Sequence, residues 1–371
     1  MNTLSSSRPM RLNVAMRSIA LMLSALFFAT TSALADTSGE CGANGGNNVT
    51  WSYNETTHTL TLSGTGAMTN SFTMDNHWDD ALTTIVIEDG ITNIGKNAFY
   101  GCRNLTSITI PESVTSIGQY AFYGCGRLSS VTIPSKVTII NTFTFYGCQY
   151  LLSVSFAEGS QLTNISSYAF AYCKFLKSIS IPESVTSIGE NAFDNCGLSS
   201  ITIPASVTKI AKNAFGSCPQ LTSVTFAEGT QLTSINDGVF GSCNKLTTIS
   251  IPATVTSIGN QAFNKSGLTS VTILATSLNT YGLWAFDDNA EGRKIYVPEE
   301  SVDTYKTGWP DYADDILPIS AKPTSIGNAT MPSGNAQAAD DAWYSLNGRK
   351  LNAKPTERGV YLHQGRKVVV K

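Results

Sequence analysis

Hydrophobic and polar positions along this chain follow one sentence, written about nine times. A Phe, usually preceded by Ala, recurs at Phe99, Phe122, Phe145, Phe170, Phe193, Phe215, Phe240, Phe263 and Phe286. Self-similarity at a period near 23 residues marks stacked units that cannot bury their apolar face alone. In the unit Leu105–Cys125, Leu105, Ile108 and Ile110 alternate with hydroxyl residues, the period-two pattern of a half-buried strand. Pro111 ends the strand, since proline donates nothing to a ladder. Val114 and Ile117 then point inward, Gly118 permits a tight bend, and Ala121 and Phe122 fill the convex side. Two steps are longer than the rest for one reason. The usual Ile-Pro-Glu-Ser-Val-Thr becomes Phe156-Ala-Glu-Gly-Ser-Gln-Leu-Thr163, and the same loop returns at Phe226–Thr233.

The pattern I-P-x-S-V-T-S-I-G-x-x-A-F-x-x-C-x-x-L-x-x-I over about residues 82–297 resembles the BspA-type leucine-rich repeats of bacterial and some protist surface proteins. The expected architecture is an α/β-type solenoid dominated by β. It is a right-handed leucine-rich-repeat solenoid with one parallel sheet, a β-rich N-terminal cap and a small β C-terminal tail. Residues 36–90 form the first cap, with alternating strands at Val49–Tyr53 and Thr59–Ser63 around an Asn-Glu-Thr-Thr turn. The repeats occupy 91–297. The second cap, 298–320, holds a short helix over Ser301–Trp309.

Both ends carry signals of another kind. Arg8, Arg11 and Arg17, an apolar run from Ile19 to Phe28, and Ala33-Leu34-Ala35 read as a secretory signal over 1–35, cleaved after Ala35. No later segment is apolar enough to span a membrane. Residues 321–342, rich in Ala, Asn, Ser, Gly and Pro, read as a linker. The tail 343–371 resembles a shortened type IX secretion sorting domain of Bacteroidota through Asn347-Gly348-Arg349, Gly359-Val360-Tyr361 and its basic, apolar end. The resemblance implies a secreted or outer-surface location.

Composition narrows the function. Only 14% of residues are charged and the net charge is −3, so nothing attracts nucleic acid or an anionic membrane. Seven of the eight cysteines, Cys102, Cys125, Cys148, Cys173, Cys196, Cys218 and Cys243, stand three residues after a repeat Phe, and Cys41 lies in the cap. One phase in every unit fits a reduced column of small buried residues better than disulfides, and no His accompanies them to build a metal site. The three His, His58, His77 and His363, all lie outside the repeats, so a nucleophile there lacks a base. Glu112 and Glu183 sit too far apart for paired-carboxylate chemistry. Asp75–Asp80, with His77 and Asp79, reads as a polar loop. We therefore expect no enzyme, no cofactor and no metal. An enzyme using the cap is the weaker alternative.

Two surfaces remain as ligand-binding candidates. The outward strand positions hold Ser107, Thr109, Ser130, Thr132, Ser153, Ser155, Ser178, Ser180, Ser200, Thr202, Ser223, Thr225, Thr248, Ser250, Ser270 and Thr272, a field of small hydroxyls. Tyr100, Tyr123 and Tyr146 follow the repeat Phe in three successive units, with Tyr120 and Tyr168 on the same edge. What the relatives do implies adhesion. The expected chain is a monomeric adhesin or host-interaction factor using its strand face, with a host matrix protein, a glycan or another bacterial surface component as partner. A structural scaffold without a ligand is the alternative.

Overall fold

The computed structural model describes residues 37–43, 46–70, 81–323, 343–345, 350–351, 359–363 and 366–370. The signal segment, the linker 324–342, the loop holding His77 and Asp79, and Asn347-Gly348-Arg349 lie outside the described residues. The chain divides after Ala321 into two compact units.

In the first unit each repeat makes one turn of a parallel β-solenoid of about 11 turns. Equivalent residues pair in register from turn to turn. Ser130, Val131, Thr132 and Ile133 lie opposite Ser153, Val154, Ser155 and Phe156, and Ser200–Ile203 pairs in the same way with Ser223–Phe226. Period-two alternation turns Val131 and Ile133 into the core and leaves Ser130 and Thr132 exposed. The single expected sheet is in fact two strand tracks. The Val-Thr-Ser-Ile stretch and its equivalents form a second parallel ladder, running through Ile91–Ile94, Ser116–Ile117, Ile139–Ile140, Asn164–Ile165, Ser187–Ile188 and Lys209–Ile210. Proline stops the first strand, the chain turns a corner, and two residues suffice to pair again because neighbouring turns are already in register.

A third track needs no strand. The Phe99 amide donates to the Ala121 carbonyl of the next turn, Phe122 to Thr144, Phe145 to Ala169 and Phe170 to Ala192. Behind it the nine Phe rings, all fully buried, stack in a column with centroids 5.2–5.6 Å apart. Offset stacks of this kind contribute about 0.5–1.5 kcal/mol per pair beyond the area they bury.

The cysteines are reduced and buried, but they are more than small fillers. Six of the thiols donate back to the Phe carbonyl of the preceding turn: Cys125 to Phe99, Cys148 to Phe122, Cys173 to Phe145, Cys196 to Phe170, Cys218 to Phe193 and Cys243 to Phe215, at 3.0–3.3 Å. Where the cysteines end, other donors take over. Ser266 Oγ reaches the Phe240 carbonyl at 2.7 Å, Asn289 Nδ2 reaches Phe263 at 2.9 Å, and Arg293 reaches Phe286. Burial pushes the thiol of Cys243 up to about 12 and raises those of Cys125, Cys148, Cys173 and Cys218, so they remain protonated donors.

Both ends of the column are closed. At the start, Val49–Asn54 and Thr59–Gly64 form the expected antiparallel pair, and Thr37–Glu40 adds a strand outside it. Thr59–Gly64 then pairs in parallel with Thr84–Ile87, which stitches the cap into the first strand track. Tyr53 OH meets His58 Nδ1 at 3.1 Å, giving this histidine a structural partner. At the other end Trp309 packs edge-on against Phe286 at 5.3 Å, carried by the helix Val302–Gly308 and the turn Pro310–Asp315. Arg293 lies over the Tyr312 ring and pairs with Asp315 at 2.9 Å.

The second unit contains an antiparallel sheet. Trp343–Ser345 pairs with Lys350–Leu351 and Gly359–His363, and Gly359–His363 pairs with Arg366–Val370. The three strands expected from sequence are present, joined by the short Lys350–Leu351.

Candidate binding surfaces

The hydroxyl field is present, with changes at both its middle and its end. Residues from Ser107 to Ser250 in the predicted set are all exposed. Thr132 and Ser155 share a hydrogen bond of 2.9 Å across adjacent turns. Ser178 and Ser180 keep the outward phase although their segment pairs with neither neighbouring strand among the described residues. Ser270 is only half exposed, and Thr272 is buried, which removes it from the surface. The reason lies in the next strand, where Tyr296, itself buried, stands directly opposite Thr272 in register. A bulky ring there covers the small hydroxyl beside it. Glu112, on the loop after its strand, is engaged by the Ser135 backbone N–H and hydroxyl at 3.0 and 2.8 Å.

The aromatic edge is larger than Tyr100, Tyr123 and Tyr146 suggest. These three stack face to face, with centroids 4.7 and 4.8 Å apart and rings within 7° of parallel. Beside them runs a second column, Tyr120, Phe143 and Tyr168, stacked at 5.0 and 4.7 Å. The Phe143 ring meets Tyr146 edge to face at 5.4 Å, and Tyr172 tilts onto Tyr146 at 5.2 Å. A smaller exposed pair, Tyr150 and Phe175, stacks nearby at 5.0 Å.

The backbone beneath this panel is unusual. The residue two before each repeat Phe has positive φ in every turn: Asn97, Tyr120, Phe143, Tyr168, Asn191, Asn213, Gly238, Gln261 and Trp284. Glycine and asparagine suit that left-handed region, and this chain uses them at four of the nine positions. Bulky side chains there are outliers that cost about 1–2 kcal/mol each. Tyr120, Phe143 and Tyr168 nonetheless occupy three consecutive turns. Tyr172 repeats the exception at a second positive-φ phase, held by Gly101, Gly124 and Gly147 in the preceding turns. The repeats act as their own control: the same backbone is made elsewhere in the chain with asparagine, so the fold does not require rings here.

The geometry limits what the panel can contact. Stacking at 4.7–5.0 Å covers both faces of Tyr123 and Phe143 and one face of the rings at the column ends, and every ring of the panel keeps part of its surface exposed. Burial, and then the neighbouring phenols Tyr100 and Tyr120, push the Tyr123 hydroxyl up. Burial likewise raises Tyr146, followed by Tyr123, Tyr172, Asp194 and Tyr168. These phenols are neutral donors and acceptors at physiological pH. Among the described residues no cluster of His, Cys, Asp and Glu has the makings of a metal site, and no helix is long and apolar enough to cross a membrane.

Comparison with known proteins finds the same repeat. The model of the BspA type leucine rich repeat region matches residues 75–175 and 163–292. No curated protein matches. Similar solved structures include a leucine-rich repeat protein from Bacteroides ovatus, 24% identical, covering 67% of this chain and 70% of that one with a TM-score of 0.42. A leucine rich cell surface protein from Faecalibacterium prausnitzii is 23% identical over 72% of this chain and 97% of that one, TM-score 0.34. The pneumococcal vaccine antigen PcpA is 17% identical over 76% and 99%, TM-score 0.37.

Proposed function

The chain belongs to the BspA-type leucine-rich repeat family, whose repeats account for more than half its length, and from that premise we propose that it is an exported adhesin. Its partner is a protein, either of the host matrix or of another bacterial surface. The contact surface is the aromatic panel of Tyr100, Tyr120, Tyr123, Phe143, Tyr146, Tyr168 and Tyr172. One observation carries the reading: in three consecutive turns aromatic side chains stand at a left-handed position that four other turns fill with asparagine or glycine, and two with Gln261 and Trp284. A residue kept against its backbone preference points to a use outside the fold. Tyrosine edges and hydroxyls on a rigid support are what protein interfaces favour as hot spots, and occluded ring faces argue against sugar stacking. Export rests on the N-terminal signal-like segment. The sorting-like tail would take the chain to the outer surface.

The experiment is a binding screen of the purified chain against host matrix proteins and bacterial surfaces, repeated with two folded variants. Y120N/F143N/Y168N removes the second ring column, and T132R/T202R/T225R blocks the strand face. Loss of protein binding only in the first variant supports the panel. Loss only in the second moves the contact to the strand face. Binding to nothing by the parent chain favours a scaffold.

A further inference from the structure

Two clefts open on the strand side of the solenoid, and they are copies of one another. One, of about 530 Å³, lies beside Phe156, and the other, of about 480 Å³, beside Phe226. Both follow the two-residue insertion. The inserted loop swings out through Gly159 in one copy and Gly229 in the other, each with positive φ and open space around it. Beyond Ser153–Phe156 and beyond Ser223–Phe226 the first strand track does not pair with the following turn among the described residues. The gap between loop and next turn is the cleft.

Most wall residues correspond, though the carboxylates stand at different places: Glu183 matches Ala253, and Glu228 matches Glu158, which lines neither cleft. Ser155, Phe156, Ser180 and Pro182 in the first cleft match Thr225, Phe226, Ser250 and Pro252 in the second. Phenylalanine at the fourth strand position is itself informative. Other turns place isoleucine there: Ile133, Ile203, Ile251 and Ile273 are fully buried and Ile181 is buried, while Ile110 in the first repeat is half-buried. Phe156 and Phe226 are only half-buried, so the exchange exposes apolar surface rather than filling the core. Neither ring stacks on another aromatic among the described residues; each packs partly against the core, and its exposed part lines the cleft.

We propose that the twin clefts bind a linear neutral polysaccharide, one sugar ring against each phenylalanine. An apolar wall with a few polar groups around it is the usual make-up of a small-ligand site. Here the polar groups are hydroxyls, with the carboxylates Glu183 in one cleft and Glu228 in the other. No lysine or arginine lines either cleft, so sulfated or phosphorylated chains meet no counter-charge. Sugar hydroxyls, both donors and acceptors, match hydroxyl and carboxylate partners. The clefts face the same way three turns apart, about 14 Å at the strand spacing of a parallel sheet. A polymer with a translational repeat engages both, and a short fragment engages one at a time.

The test is calorimetry on the full chain with linear neutral hexose oligosaccharides of about two to eight units, and with a sulfated oligosaccharide of similar length. Affinity is expected to rise roughly 10²-fold once the ligand spans both clefts, through effective concentration alone. F156I and F226I install the residue other turns carry, so thermal unfolding should be unchanged. Each single variant should lose the length-dependent gain, and F156I/F226I should lose binding. Equal affinity in the double variant, no binding of any neutral chain, or preference for the sulfated chain would overturn the proposal. Y120N/F143N/Y168N should bind the oligosaccharides as the parent does, which keeps this result separate from that of the protein-binding panel.

Discussion

Replacing a single column cysteine distinguishes a donor ladder from a stack of fillers. Cys148 is fully buried and its thiol donates to the Phe122 carbonyl at 3.2 Å. Cys148→Ala removes a group about the size of a methylene, worth ~0.8 kcal/mol of burial. It also removes a weak hydrogen bond of about 0.5–1 kcal/mol and leaves a small void, which adds a few tenths more. The expected loss is about 2 kcal/mol. Cys148→Ser keeps a donor, and Ser266 shows that an oxygen at this phase reaches its carbonyl at 2.7 Å. Its loss should be about 1 kcal/mol or less. Cys148→Val keeps apolar volume without a donor and should fall below serine. A solenoid does not unfold as one cooperative block. The readout is therefore hydrogen exchange of amides in the turns flanking Cys148, beside the urea midpoint. Alanine or valine matching or exceeding serine would show that volume, not hydrogen bonding, holds the column.

Phe193 is sandwiched between Phe170 at 5.4 Å and Phe215 at 5.2 Å, so Phe193→Ala should cost roughly 3–5 kcal/mol and split the solenoid into separately melting halves. Wild-type unfolding curves would remove the ring column from the core. Stability should also fall with alkalinity. The thiols of Cys125, Cys148, Cys173, Cys218 and Cys243 are raised in the fold, and an unfolded thiol titrates near 8.5. The unfolded chain therefore releases protons first. The stabilisation is complete below about pH 8.5 and fades as pH rises toward 12, by up to ~1.4 kcal/mol per pH unit per thiol. Urea midpoints between pH 7 and 11 check this, and a flat profile would contradict it.

The solenoid was legible because its phase repeats: Phe, Cys and Leu positions, read by period alone, are the buried residues. The second strand track was not, because Ser116–Ile117 and its equivalents are two residues long and carry no measurable alternation. The donor role of the cysteines had a signal in Ser266, a hydroxyl where an apolar column would want none. Thr272 reads like its fifteen counterparts; its burial depends on Tyr296, which lies outside the repeat pattern. Tyr100, Tyr123 and Tyr146 stood out by position, whereas Phe143 and Tyr172 gained meaning only with the backbone dihedrals. The alternation of Asn, Gly and aromatic residues before Ala-Phe was the available clue to a left-handed site.

The most direct test of the account measures stability and binding on one sample of Y120N/F143N/Y168N. Relief of left-handed strain at three residues, about 1–2 kcal/mol each, offsets only part of the lost stacking, about 0.5–1.5 kcal/mol per pair, and of the lost burial of three half-buried rings, about 1–2 kcal/mol each. The variant should therefore remain folded, a few kcal/mol less stable than the parent, and should lose protein binding. Protein binding retained by the folded variant would show that the rings serve the fold, and would contradict the aromatic panel as the adhesive surface.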